Sequence, residues 1–298
     1  MAETLHIYLL EPMRSRAEAK EINVFNKMAE ALPGWKLRFH EDNAAERLAA
    51  PGRGYGLFHM QEPPVPTILC LRRAYHYPFW RIEKTNERWH FDVANATFDP
   101  ASVAQDRAAA FYARWRPRIF RDGPVARDGF AFLPLQGRLR QHRSFQSQSP
   151  VEMIETWLTN RPGVPAQATL HPKELYDDAD YQALQALEDR FPDFKLVTED
   201  AKDLLARCDV VVTQNSAVAL TGFFAQKPAV LFAGSDFHHI AASVPRDGLA
   251  AALQQRPDPD FAAYLFWFFQ RQSINAGAAN AVEKIRARFK AHGFPVSS

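Results

Sequence analysis

Asp209-Val-Val-Val-Thr-Gln-Asn-Ser-Ala-Val-Ala-Leu-Thr-Gly-Phe-Phe-Ala225 is the stretch on which the fold turns. An unbroken apolar strand, residues 209–213, runs into the polar triplet Gln214-Asn215-Ser216 and then into a helix, 216–225, that opens with small residues. Asn and Ser are favoured at helix N-caps. The backbone N–H groups and dipole at such a start attract phosphate or carboxylate, and the Ser216 hydroxyl adds a donor. Parallel α/β folds bind ligands where buried strands end in this way. Plain capping by Asn215 and Ser216 is the competing reading.

The same rhythm continues on both sides. Upstream come strand 130–133, helix 150–158, strand 168–171, helix 181–190, strand 195–197 and a short helix 201–206; strand 229–232 follows downstream. Strands alternating with helices predict the α/β class with parallel sheets. The first half carries strand candidates 5–10, 35–40, 55–60 and 67–71, one helix over 17–32 and another over 104–119. Residues 75–100, aromatic and punctuated by prolines, take no assignment. Residues 121–129 have the composition of an exposed linker. The expected division is a Rossmann-like domain at 1–125, a nucleotide-binding Rossmann-like domain at 126–255 and a helical segment at 256–298.

Three further turns carry candidate site residues. In Thr169-Leu-His171-Pro172-Lys173-Glu174 the proline stops a strand and holds His171 at its lip, with Lys173 as a second phosphate donor. The run Phe132-Leu-Pro-Leu-Gln136-Gly-Arg138-Leu-Arg140-Gln-His142-Arg143-Ser144 is rich in donors suited to an anionic sugar or phosphate. Ala233-Gly-Ser-Asp236-Phe-His238-His239 invites a metal reading. Without a further ligand cluster, a loop that contacts the nucleotide through Asp236 and His238, or one that is structural, is preferred and no metal is expected. In the first half Glu11, His59 and Glu62 lie at or just beyond strand ends. A carboxylate or histidine there could act as general base on an acceptor hydroxyl, against a plain structural role for all three.

Taken in order, Phe132-Leu-Pro-Leu-Gln136, His171-Pro172, Asp203-Leu-Leu, Cys208-Asp-Val-Val-Val-Thr-Gln-Asn-Ser216 and Gln226-Lys-Pro-Ala-Val230 with Gly234 resemble the capsule polysaccharide biosynthesis family, the retaining β-Kdo transferases of bacterial capsule assembly. The similarity covers residues 130–248. It implies a GT-B arrangement of two Rossmann-like domains with a cleft between them, and CMP-Kdo as a metal-independent donor substrate rather than a cofactor. It assigns His171 and Ser216 to the donor phosphate, with Gln214 and Asn215 nearby. Family members carry a catalytic acidic residue shortly after the Pro-Leu-Gln stretch. Here residues 137–144 contain no Asp or Glu, so either Glu11, Glu62 or Glu174 serves instead, or the donor differs, or binding is kept without catalysis.

The reading that unites these turns is a glycosyltransferase passing a sugar from a nucleotide donor to a glycan or glycolipid. The alternatives are a non-catalytic protein of the same fold that binds a nucleotide or anionic glycan, and a metal-dependent hydrolase built on Asp236, His238 and His239. Composition bounds all three. The 298 residues exceed what one hydrophobic core usually holds, and 47% hydrophobic with 23% charged residues suits a globular protein. A net charge of +2 is too weak for a nucleic-acid partner, although arginines cluster between Arg114 and Arg143. Cys70 and Cys208 read as buried thiols of a reducing compartment. Glu3 ahead of a short apolar stretch argues against a signal peptide, and the aromatic run 261–269 is too short to span a bilayer. The expected location is cytoplasmic, with contact at the inner membrane face through the aromatics from Tyr264 to Phe269 left open.

Overall fold

Strands and helices alternate along most of the chain in a computed structural model that describes residues 3–121, 123–254 and 257–296. The strands are β1 (Thr4–Leu9), β2 (Lys36–Glu41), β3 (Gly56–His59), β4 (Ile68–Arg73), β5 (Phe79–Glu83), β6 (Ala131–Pro134), β7 (Ala166–Thr169), β8 (Phe194–Leu196), β9 (Val210–Thr213), β10 (Ala229–Leu231), β11 (Ala242–Ser243) and β12 (Ile274–Asn275). The helices are α1 (Met13–Glu18), α2 (Asn23–Ala31), α3 (Ala44–Ala49), α4 (Gln105–Ile119), α5 (Pro150–Asn160), α6 (Asp178–Arg190), α7 (Ala201–Arg207), α8 (Ala217–Phe224), α9 (Val244–Asp247), α10 (Leu249–Ala252), α11 (Phe261–Phe266) and α12 (Ala281–Ala291). Two compact units result. One holds the described residues up to Asn95 and from Trp267 onward, the other Ala96–Phe266. The expected cut at 125/126 falls inside the second unit, and the cut at 255/256 lies outside the described residues.

The first unit is built on a sheet of order β12-β5-β4-β3-β1-β2. Its strands are parallel except for β5, which runs antiparallel to both β4 and β12. Leu5, Ile7, Leu57, Leu69 and Leu71 form the core with Phe25 and Met28 of α2 and Ile285 and Phe289 of α12. The residues after Trp267 therefore add an edge strand and a covering helix. The helix expected over 17–32 is two helices, separated where Lys20 takes a left-handed φ of 60°.

Strand β5 lies inside the stretch that took no assignment, and all five of its residues are buried. Arg81 and Glu83 hide it from an apolar pattern. Arg81 donates from Nη1 to the Gln272 carbonyl (2.7 Å) and lies over the Phe268 ring. Arg288 of α12 donates to the Ile82 carbonyl (2.7 Å), Glu83 (3.1 Å) and Asp92 (2.7 Å). Burial raises the pKa of Glu83, and Arg288 is the largest opposing influence.

The second unit has the order β11-β10-β9-β6-β7-β8, all parallel. The chain builds outward from β6 to β8, then returns to the other side of β6 and builds outward again from β9 to β11. One face carries Leu133, Ala168, Val212 and Val230 packed on Ile154 and Trp157 of α5 and Leu184 of α6. The next residue of β9, Val211, points to the opposite face, where it meets Gly222 of α8. Helix α5 begins with a reciprocal capping box between Ser149 and Glu152, and α6 with one between Asp177 and Asp180. Both cysteines are buried, and burial pushes their thiols up to about 12, so they serve as core. Among the described residues no helix is long and apolar enough to cross a membrane.

Replacing Arg288 with Met should destabilise the protein by about 3–5 kcal/mol at neutral pH, because Glu83 is left as a buried charge without its partner. Urea denaturation of the two proteins measures this. A loss below about 1 kcal/mol would show that α12 does not depend on the ion pair.

Candidate functional site

Strands β9, β6 and β7 are immediate neighbours. Their carboxyl ends therefore set three polar loops side by side: 214–216, 136–138 and 171–174. The strand order reverses between β6 and β9, which is the position where open α/β sheets bind ligands.

The loop after β9 is buried. Gln214 donates from Nε2 to the Gln148 carbonyl (3.0 Å), and Asn215 donates from Nδ2 to the Gly234 carbonyl (2.9 Å). Ser216 accepts the Val218 N–H on its Oγ (3.3 Å), so it is the N-cap of α8. The competing reading, plain capping, therefore describes Ser216, while Asn215 is not the cap.

The segment after Leu139 folds over the sheet edge. Ser147 N–H donates to the Phe232 carbonyl and Gly234 N–H to the Phe145 carbonyl, both at 2.8 Å. Arg143 N–H donates to Gln146 Oε1 (2.8 Å). This layering leaves Gln136 Oε1, Gln146 Nε2, Gln148 Oε1 and Gln214 Oε1 buried without a hydrogen-bond partner. A buried polar atom left unpaired costs about 1–3 kcal/mol, so four together mark a place where a polar ligand or water completes the bonding. Amide oxygen and nitrogen exchange by a flip, so each group can donate or accept. Gln146 and Gln148 had no helical or strand spacing to single them out in the sequence.

The basic residues divide. Arg138 is exposed and takes a left-handed φ of 62°, uncommon for a side chain of its size. Arg140 is engaged elsewhere, bonded to Asp177 (2.8 Å) and Asp180 (3.0 Å) at the start of α6. Arg143 is half-buried over the Phe145 ring, with its Nε unpaired. Burial, and then Arg138, lower its pKa, yet a guanidinium stays charged at any working pH. A cavity of about 400 Å³ lined by Arg138, Arg140, Gln141, Tyr176 and Asp180 adjoins this loop.

His171 lies two residues beyond β7 rather than within the strand. Its Nδ1 accepts the Lys173 N–H (3.2 Å), so the neutral ring carries its proton on Nε2 as a donor. Lys173 is exposed. Glu174 is exposed as well, and its side chain rests on Gly137: a Cβ built there would meet the Glu174 carboxyl carbon at 3.0 Å and Oε2 closer still. The carboxylate has no hydrogen bond or ion pair among the described residues. The loop that lacks an acid of its own thus receives one from the neighbouring strand's loop.

Asp236 is fully buried after β10. His238 stacks on His239 at 4.4 Å, and its Nδ1 lies 3.1 Å from Arg246 Nη1. These three do not form a metal-binding group. Among the described residues the group close enough is Glu83, Asp92 and His292 in the first unit, and Arg288 bonds to all three.

Glu11 and Glu62 belong to the first unit. Glu11 accepts from Ser15 Oγ (2.7 Å) and Arg14 Nε (2.8 Å), which lower its pKa. Glu62 accepts from Asn86 N–H (2.6 Å) and Thr85 Oγ1 (3.0 Å). Glu11 ties its own loop to the start of α1, and Glu62 ties the loop after β3 to the loop after β5. His59 ends β3 with its pKa lowered to about 4 by burial, with Arg73 and Arg72 acting in the same direction.

Among solved structures the chain is similar to two proteins of Thermosulfurimonas dismutans. One is KpsC, beta Kdo 2,7 transferase, at 11% identity over 88% of this chain and 89% of that chain, with a TM-score of 0.52. The other is KpsC, beta Kdo 2,4 transferase, at 12% identity over 89% of each chain, with a TM-score of 0.50. The likeness is one of fold. No family model matches the chain, and no curated protein matches it in sequence.

His59 supplies a pH test. Its unfolded value of 6.5 exceeds its folded value of about 4, so the unfolded chain takes up the proton first as pH falls. Stability should therefore decline between about pH 6.5 and pH 4, with His59 contributing on the order of 2–3 kcal/mol. His59→Gln should flatten that decline in urea midpoints measured at pH 7 and pH 5. Equal slopes for the two proteins would show that His59 is not the group responsible.

Proposed function

We propose that the protein is a glycosyltransferase of bacterial surface-glycan synthesis, with its donor nucleotide held at the carboxyl edge of the second sheet. The observation that carries the proposal is the set of unpaired buried amides where β6, β9 and β7 end together. The residues behind the capsule-family resemblance, Gln136, His171, Gln214, Asn215 and Ser216, lie on this same edge. That coincidence favours a capsular or related surface polysaccharide as product and CMP-Kdo as donor.

Within this reading His171 Nε2–H, Lys173, Arg138 and Arg143 meet the anionic phosphate, and the first turn of α8 adds its dipole. The glutamines pair with hydroxyl or amino groups of the base and sugar. Arg140 positions α6 through Asp177 and Asp180. Asp236 and His238 shape the loop after β10. Glu174 takes the proton of the acceptor hydroxyl as its oxygen bonds to the anomeric carbon, while the bond from that carbon to the nucleotide oxygen breaks. Glu11 and Glu62 keep loops of the first unit in place.

Calorimetric titration with CMP, UDP and GDP tests the site, and the proposal expects one of them to bind. Glu174→Gln, and Gly137→Ala, which displaces the Glu174 carboxylate, should keep that affinity within a few-fold and lower sugar transfer by about 10²–10⁴. Absence of binding to all three nucleotides would defeat the proposal. Nucleotide binding without transfer or donor hydrolysis would assign the chain to the non-catalytic alternative.

A further inference from the structure

A separate cavity of about 370 Å³ opens at the amino-terminal edge of the second sheet, among Trp157 of α5, Ala252 of α10 and the strands β9, β10 and β11. Small side chains, Val210, Ala229, Val230 and Ala242, form the sheet side of the wall beside Trp157. The volume lies within the ~300–1,000 Å³ of ordinary small-molecule sites.

Trp157 and Arg161 line the cavity, as do Arg127, Asp209, Gln254 and Asp258. Trp157 is 3% exposed, and its Nε1–H is buried with no hydrogen-bond partner. Arg161 lies over the Trp157 ring at 5.6 Å, donates to the Leu253 carbonyl and has no ion pair among the described residues. The other charges lining the cavity are occupied. Arg127 pairs with Asp258 (2.6 Å), and Asp209 accepts the Gly129 N–H (2.8 Å).

We propose that this cavity is a binding site for a small apolar molecule ending in a carboxylate. The carboxylate accepts from Trp157 Nε1–H and the Arg161 guanidinium, and the apolar body fills the space left by the small residues. The site lies at the opposite edge from the nucleotide loops and does not depend on the transferase reading.

Octanoate and octanol titrated into the full chain by calorimetry test the proposal. Octanoate should bind in the millimolar range or tighter, and more tightly than octanol. Trp157→Phe keeps the ring and removes the donor, so octanoate affinity should fall about tenfold. Ala252→Leu fills the space and should abolish binding while leaving nucleotide affinity unchanged. Absent octanoate binding, equal affinity for octanol, or octanoate binding unaffected in Trp157→Phe would each overturn the proposal.

Discussion

The reversal of strand order between β6 and β9 is the constraint on which the candidate site depends. From β6 the chain leaves into the helix that packs on Leu133 and Val212; from β9 it leaves into α8, on the face of Val211. Because the two connections depart to opposite faces, no helix among the described residues spans the gap between the strand ends, and the 142–149 segment lies over it instead. The parallel register then fixes which residues border the gap: Gln136 from one strand, Gln214 to Ser216 from the next, and His171 to Glu174 from the third.

The packing at this edge leaves polar groups without partners. The 142–149 segment is tied to the loop after β10 by backbone hydrogen bonds, yet the amides it buries lack partners. A fold selected for stability alone would replace such groups with apolar ones of similar shape. Gly137 belongs to the same logic. The Glu174 carboxyl occupies the volume of its missing Cβ, so the glycine permits a carboxylate to reach the loop after β6 from the next strand over. A charge absent from a motif in the sequence is present beside it in space.

The parallel strands were legible because they are short runs of apolar and β-branched residues broken by polar turns, and nine of them lie within two residues of where that pattern puts them. Strand β5 was not, since Arg81 and Glu83 are buried by partners more than 190 residues away. Neither was the break at Lys20, where a backbone conformation rather than a composition change divides two helices. The site shows the same limit. Donor-rich turns at strand ends could be read directly, but Arg140 could not be known to spend its charge on Asp177 and Asp180. The amides of Gln146 and Gln148 gained meaning only once the loop was seen folded over the sheet edge.

Hydrogen–deuterium exchange of the full chain, with and without CMP, UDP or GDP, measures the central claim most directly. The account predicts that the nucleotide that binds protects peptides covering residues 136–149, 171–176 and 214–218 together, with little change in the amino-terminal turns of the same sheet. Protection confined to other segments, or limited to just one of these three loops, would contradict it.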